Sequence, residues 1–122
     1  MARLTRMHLG DILVVPIQEE LHDTAAEEAG EKIIREADNS NIKGVAIDIS
    51  ALDIVDSFLG RLLQKIAWGL RAMGKEVILV GIQPEVAVAL VELGLYLEEI
   101  NTAFELDSAL EKLREMIEKG SA

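Results

Sequence analysis

No cysteine occurs in the 122 residues, so disulfides, thiolate nucleophiles and Cys-ligated zinc or iron–sulfur centres are excluded. Aromatic residues make up only 3% of a chain that is 50% hydrophobic, so its core is built from Ile, Leu, Val and Ala. Basic residues are scarce too. Twelve Lys and Arg stand against twenty-two Asp and Glu, a formal net charge of -10. Nucleic acids and anionic membranes draw their affinity from clustered cations, and this balance argues against both. The longest apolar runs, Val77–Ile82 and Val86–Val91, are parted by Pro84 and Glu85 and fall far short of the ~20 residues that span a bilayer. The opening Met-Ala-Arg-Leu-Thr-Arg has no apolar stretch of signal-peptide length, so a cytoplasmic chain is expected.

What is present reads as one domain over residues 1–122. Leu4–Leu9 and Ile12–Ile17 are extended segments joined by the turn pair Gly10-Asp11, a hairpin pattern. A helix capped by Asp23 or Thr24 follows; Thr24 and Glu27 have capping-box spacing, and Ala26, Ala29, Ile33, Ile34 and Ala37 share a face. Val45–Ile49 is a buried strand. The helix after Asp56 is the clearest, with Leu59, Leu62, Leu63, Ile66, Leu70 and Met73 in one stripe and Gly74 as its C-terminal cap. Val77–Gly81 is the next strand, and Pro84 opens a helix that runs to Gly94. Thr102–Leu106 is a last strand. Asp107 then caps a helix with Leu110, Leu113 and Ile117 inward and a second capping box at Ser108 and Glu111, before a frayed Gly120-Ser-Ala tail. The order β-β-α-β-α-β-α-β-α predicts an α/β fold: a mixed, mostly parallel sheet with an N-terminal hairpin and about four helices.

Motifs for chemistry are mostly absent. Gly69 to Lys75 has the glycine and lysine spacing of a phosphate loop, but it closes a helix instead of opening one, and Glu76 stands where Ser or Thr must reach magnesium. His8, on a strand, and His22, in a loop, have no partner at metal spacing. The paired carboxylates Glu19-Glu20, Glu27-Glu28 and Glu98-Glu99 lack an apolar setting that would tune them. No cofactor or metal is expected.

The stretch Asp48-Ile-Ser-Ala-Leu-Asp-Ile-Val-Asp-Ser-Phe-Leu-Gly60 is different. A buried strand exits through an acidic turn carrying Asp48, Asp53 and Asp56, and Ser57 lies at the start of a helix. A phosphate on Ser57 would meet free backbone N–H groups and the positive end of the helix dipole. Chemistry alone leaves two readings: a modifiable switch, or Asp53 and Asp56 as plain caps with Ser57 filling the first turn.

At these residues the chain resembles the STAS domain, the fold of anti-sigma-factor antagonists and sulfate-transporter tails. The shared pattern is a buried strand ending in Asp, a short loop, then Asp-Ser at a helix start: Val45-Ala-Ile-Asp-Ile-Ser-Ala-Leu-Asp-Ile-Val-Asp-Ser57. Val80-Gly-Ile-Gln-Pro-Glu-Val-Ala-Val-Ala-Leu-Val-Glu-Leu-Gly94 is similar to the small, STAS-only subunits of the bacterial stressosome, and the likeness runs from Leu9 to about Leu113. Phe58 departs from sporulation-type antagonists, which usually carry a second small residue after the serine. Larger stressosome subunits add an N-terminal sensor domain and tend to carry threonine acceptors.

The resemblance implies a binding protein and not an enzyme. Its subunit would co-assemble with larger, sensor-bearing STAS paralogues, hold a serine/threonine switch kinase, release it when Ser57 is phosphorylated, and be reset by a phosphatase. Asp53, Asp56, Phe58 and Leu59 would border the docking site, and homo-oligomerisation stays compatible with the pattern. The alternative within the family is a soluble anti-anti-sigma factor that binds an anti-sigma kinase one to one. A small α/β enzyme using the acidic turn is disfavoured, since no base, metal cluster or phosphate loop supports it.

Overall fold

Successive residues of a strand point to opposite faces, and here both faces are apolar because both are covered by helices. In the computed structural model, which describes residues 6–17, 23–39, 41–94 and 100–120 (backbone only at 23–26), the elements run β1 (Met7–Leu9), β2 (Ile12–Pro16), α1 (Asp23–Ala37), β3 (Gly44–Asp48), α2 (Ser57–Ala72), β4 (Glu76–Val80), α3 (Pro84–Glu92), β5 (Asn101–Ala103) and α4 (Leu106–Gly120). The five strands lie side by side in chain order. β1 pairs antiparallel with β2, and β2 through β5 are parallel.

That order settles the layers. Three crossovers that step in one direction, each with the right-handed sense such connections take, leave their helices on one face of the sheet. Leu13, Val15, Val45, Ile47, Val77 and Leu79 point that way and pack with α1, α2 and α3 in one cluster. The alternate residues Ile12, Val14, Ala46, Ile78 and Val80 point the other way, where α4 covers them with Ala109, Leu113 and Ile117. Among the described residues no charged or polar side chain is buried.

The hairpin forms as expected, Leu9 opposite Ile12 with Gly10 at φ 64 in the turn. Gly74 closes α2 at φ 82, as the sequence predicts. β1 is tied to α1 by His8, whose Nε2 lies 3.0 Å from Glu36 Oε1, with Arg6 Nε at 3.5 Å. An ionised carboxylate only accepts, so Nε2 carries the proton. The His8 hydrogen bond, reinforced by the Arg6 charge, holds the Glu36 carboxyl below the usual carboxylate range.

Several element ends differ from expectation: β2 stops at Pro16 instead of Ile17, and α3 at Glu92 instead of Gly94. β3 and β4 begin and end one residue earlier, at Gly44–Asp48 and Glu76–Val80. The last strand, expected over Thr102–Leu106, runs over Asn101–Ala103, and α4 starts at Leu106, so Asp107 lies inside the helix and does not cap it. The physical reason is that Leu106 turns in against the α4-side cluster. Glu105 becomes the first helical acceptor, taking the Ala109 N–H at 3.0 Å and the Ser108 hydroxyl at 3.2 Å. Helix α4 also continues through Gly120 where fraying is expected. Leu4, His22, the capping side chains of Asp23 and Thr24, Ala26, and the final Ser121 and Ala122 lie outside the described residues.

Candidate functional site

The acidic turn after β3 is pinned at its base. Asp48 Oδ1 accepts the Ser50 N–H at 2.9 Å, Ile49 N–H donates to Val80 O at 3.0 Å, and Leu52 N–H closes back on Ile49 O at 3.0 Å. From the β4–α3 junction, Gln83 Nε2 donates to Ser50 O at 2.8 Å. Gly81 sits there at φ 74, and a Cβ on it would lie 2.5 Å from Ser50 Cβ, so the two backbones are as close as they can come. Beyond this base the loop is anchored at two points. Leu52 and Val55 drop into the core, whereas Asp53, Ile54 and Asp56 face solvent.

Asp56 then starts α2. Its backbone is extended (φ -85, ψ 176), its side chain accepts the Leu59 N–H at 2.8 Å, and its carbonyl takes the Gly60 N–H at 2.9 Å. Ser57 is the first helical residue and is exposed. The N–H groups of Ser57 and Phe58 have no intrahelical acceptor, and the first turn holds no acid. The head of α2 therefore presents two free donors and the positive end of a dipole to whatever is attached at Ser57. Asp56→Ala should cost about 1 kcal/mol through loss of the cap. Asp53→Ala should stay within about 0.5 kcal/mol. Urea unfolding of the two variants checks the difference.

The residues singled out in the sequence separate cleanly. Ser57, Asp56 and Asp53 are exposed and adjacent, and Phe58 is 37% exposed beside them. Asp53 makes no hydrogen bond or ion pair among the described residues, so Asp56 alone caps the helix. Leu59 needs correcting. At 3% exposure its side chain lies in the core, and it contributes only its N–H to the cap, because helical geometry turns it a full 200° from Ser57. Ile54, 64% exposed, is the second exposed apolar side chain of this turn, and Gln83 holds Ser50. Neither has a local sequence signal; the first follows from how Leu52 and Val55 anchor the loop, the second from the sheet order. The phosphate-loop mimic is a helix end, where Lys75 Nζ donates to Ile42 O at 2.8 Å and Asn39 O at 3.2 Å. Among the described residues no three His, Asp or Glu are grouped to hold a metal, and no helix is long and apolar enough to cross a membrane.

This arrangement, a strand ending in Asp, a pinned acidic loop and a capped Asp-Ser helix head, coincides with a family match: the STAS domain profile covers residues 4–117. The chain belongs to the STAS family. Its fold superposes on a serine-to-glutamate variant of RsbS from Moorella thermoacetica with a TM-score of 0.87 and 36% identity, over 94% of this chain and 97% of that one. A chain from the molecular architecture of the stressosome, a signal integration and transduction hub, matches with a TM-score of 0.84 and 38% identity, over 92% and 97%. The RsbT co-antagonist protein RsbRA of Bacillus subtilis is 25% identical over 109 residues. This STAS domain spans 40% of that curated relative's length.

Proposed function

We propose that this STAS domain is a stressosome-type antagonist subunit that holds a serine/threonine switch kinase and lets it go when Ser57 is phosphorylated. The observation that carries the reading is Ser57 itself, exposed at the capped head of α2 between the apolar Ile54 and Phe58. Similarity to RsbS and to a stressosome chain supports it. In the assembled state the subunit works with larger STAS paralogues of the RsbR kind, and a phosphatase resets it. It acts by binding, not by turnover.

The switch needs no refolding. A phosphate brings about −1.5 to −2 charges at neutral pH. The helix head offers it roughly 0.3–1 kcal/mol of favourable dipole interaction, so the fold survives the modification. A partner surface fitted to a neutral Ser57 and the apolar Ile54 and Phe58 must instead take in a hydrated dianion. A unit charge pair at about 4 Å is worth ~1 kcal/mol even in water and more when partly desolvated. Each ~1.4 kcal/mol is tenfold in affinity, so release by charge and desolvation is within reach.

Incubation with a serine/threonine kinase and ATP, followed by intact-mass measurement, should add one phosphoryl group to the wild type and none to Ser57→Ala. That variant should unfold within about 0.5 kcal/mol of the wild type and still retain the kinase on a column. Phosphorylation that persists in Ser57→Ala, or a kinase that binds the phosphorylated chain undiminished, contradicts the proposal. Size-exclusion with STAS paralogues should give megadalton-scale particles; a one-to-one complex with the kinase alone would instead favour a soluble anti-anti-sigma factor.

A further inference from the structure

Helix α2 holds Arg61, Lys65 and Arg71 and no Asp or Glu in its sixteen residues, although acids outnumber bases twenty-two to twelve in the whole chain. Its outward residues fall in register. At 3.6 residues per turn Ser57, Arg61, Lys65 and Trp68 share about a quarter of the helix circumference and run about 16 Å along it. All four are exposed. Arg61 and Lys65 have no ion pair or hydrogen bond among the described residues. Trp68, the one tryptophan of the chain, is 41% exposed, with the Arg71 guanidinium 5.3 Å from its ring centroid. Tryptophan and arginine are the side chains that anchor protein interfaces, and a half-exposed tryptophan among cations has no role in this core.

We propose that this face of α2 docks an acidic patch on the kinase that acts on Ser57. The kinase as occupant rests on the function proposed above; the charge of the surface stands independently of it. Carboxylates complement Arg61 and Lys65, and a protein patch engages them at short range. Long-range repulsion between two chains that each carry -10 opposes a second copy, and a nucleic acid would extend past the stripe onto acidic surface. The same geometry couples docking to modification. A phosphoryl group on Ser57 lies one turn from Arg61, whose Cβ is about 5–6 Å from that of Ser57. The charge-assisted bond it forms there takes Arg61 away from the partner's carboxylates.

Trp68 reports docking directly. Deca-glutamate added to the full chain at ~0.1 M salt should change Trp68 emission saturably, and ~1 M salt, which shortens the Debye length from about 10 Å to about 3 Å, should abolish the change. Arg61→Glu/Lys65→Glu should bind the peptide about tenfold more weakly or worse. Arg114→Glu/Lys119→Glu, two exposed residues of α4, makes the same change in net charge and should respond as the wild type. With a kinase that phosphorylates Ser57, the α2 pair should raise KM about tenfold at constant kcat, and the α4 pair should leave both constants alone. A flat wild-type titration, or equal losses in the two double variants, overturns the surface. An unmoved KM with Ser57 still phosphorylated removes the kinase as occupant and leaves the proposed function intact. If no kinase modifies Ser57 while the peptide response persists, the function and the kinase both fall. A homodimer in sedimentation velocity that Arg61→Glu/Lys65→Glu dissolves would make the occupant a second copy and overturn the proposal.

Discussion

Leu63→Ala should lower the stability of the domain by about 3–4 kcal/mol, with the denaturant slope unchanged. Leu63 is 1% exposed and lies in the middle of α2, inside the cluster formed by α1, α2, α3 and one face of the sheet. Truncation removes the burial of three carbon atoms and leaves a cavity. The same cluster holds β-branched strand residues, Val45, Ile47 and Val77, whose restricted rotamers and fixed ladder positions leave the cluster little freedom to collapse into a gap. A loss below about 1 kcal/mol in urea unfolding would mean that α2 is not anchored as described. The consequence reaches function, since α2 carries Ser57 at its head and its buried stripe, Leu63 included, packs in this cluster.

Gly81→Ala should cost about 3 kcal/mol and lower the melting temperature on the order of 10 °C. Two separate costs combine. The residue sits at φ 74, a region where a side chain costs roughly 1–2 kcal/mol. Its new Cβ would also lie 2.5 Å from Ser50 Cβ, 3.0 Å from Ser50 Cα and 3.3 Å from Ser50 N. Two of those atoms are backbone, so no rotamer change relieves the overlap, and overpacking of this kind adds about 1–3 kcal/mol. Gly74 supplies the control. It has φ 82 and nothing within 4 Å of its would-be Cβ, so Gly74→Ala should lose only the conformational part, about 1–2 kcal/mol. Equal losses at the two positions would show that Ser50 yields freely. A larger loss at Gly81 fits a loop whose base is clamped, and such a variant should also be a poorer kinase substrate at Ser57.

The cap and the exposed serine of this turn are written in local sequence. Asp56, followed by an apolar helical stripe, marks an N-cap through local hydrogen bonding, and the structure puts its carboxylate on the Leu59 N–H. Ser57, one residue on, is exposed for the same local reason. Leu59 misleads because an apolar residue near a surface turn reads as rim, whereas the helix phase sends it inward. Arg61, Lys65 and Trp68 read as scattered cations and one aromatic until α2 is placed with its other side against α1 and the sheet. Their common signal, a sixteen-residue helix without an acid in an acidic chain, is present in the sequence but says nothing about docking until that face is known to be outward.

The chain by itself determined the nine elements seen among the described residues and their order, because strand alternation, helical periodicity, caps and turn glycines act between residues at most a few positions apart. It also determined that both faces of the sheet are covered, since β2, β3 and β4 are apolar on either side. Tertiary structure decided the rest: the strand order, the placing of α4 opposite the other three helices, the shortened β5, and the meeting of Ser50 with Gly81 and Gln83 across thirty-odd residues of sequence. Those outcomes depend on which surfaces bury each other, a competition among distant segments that no local pattern encodes.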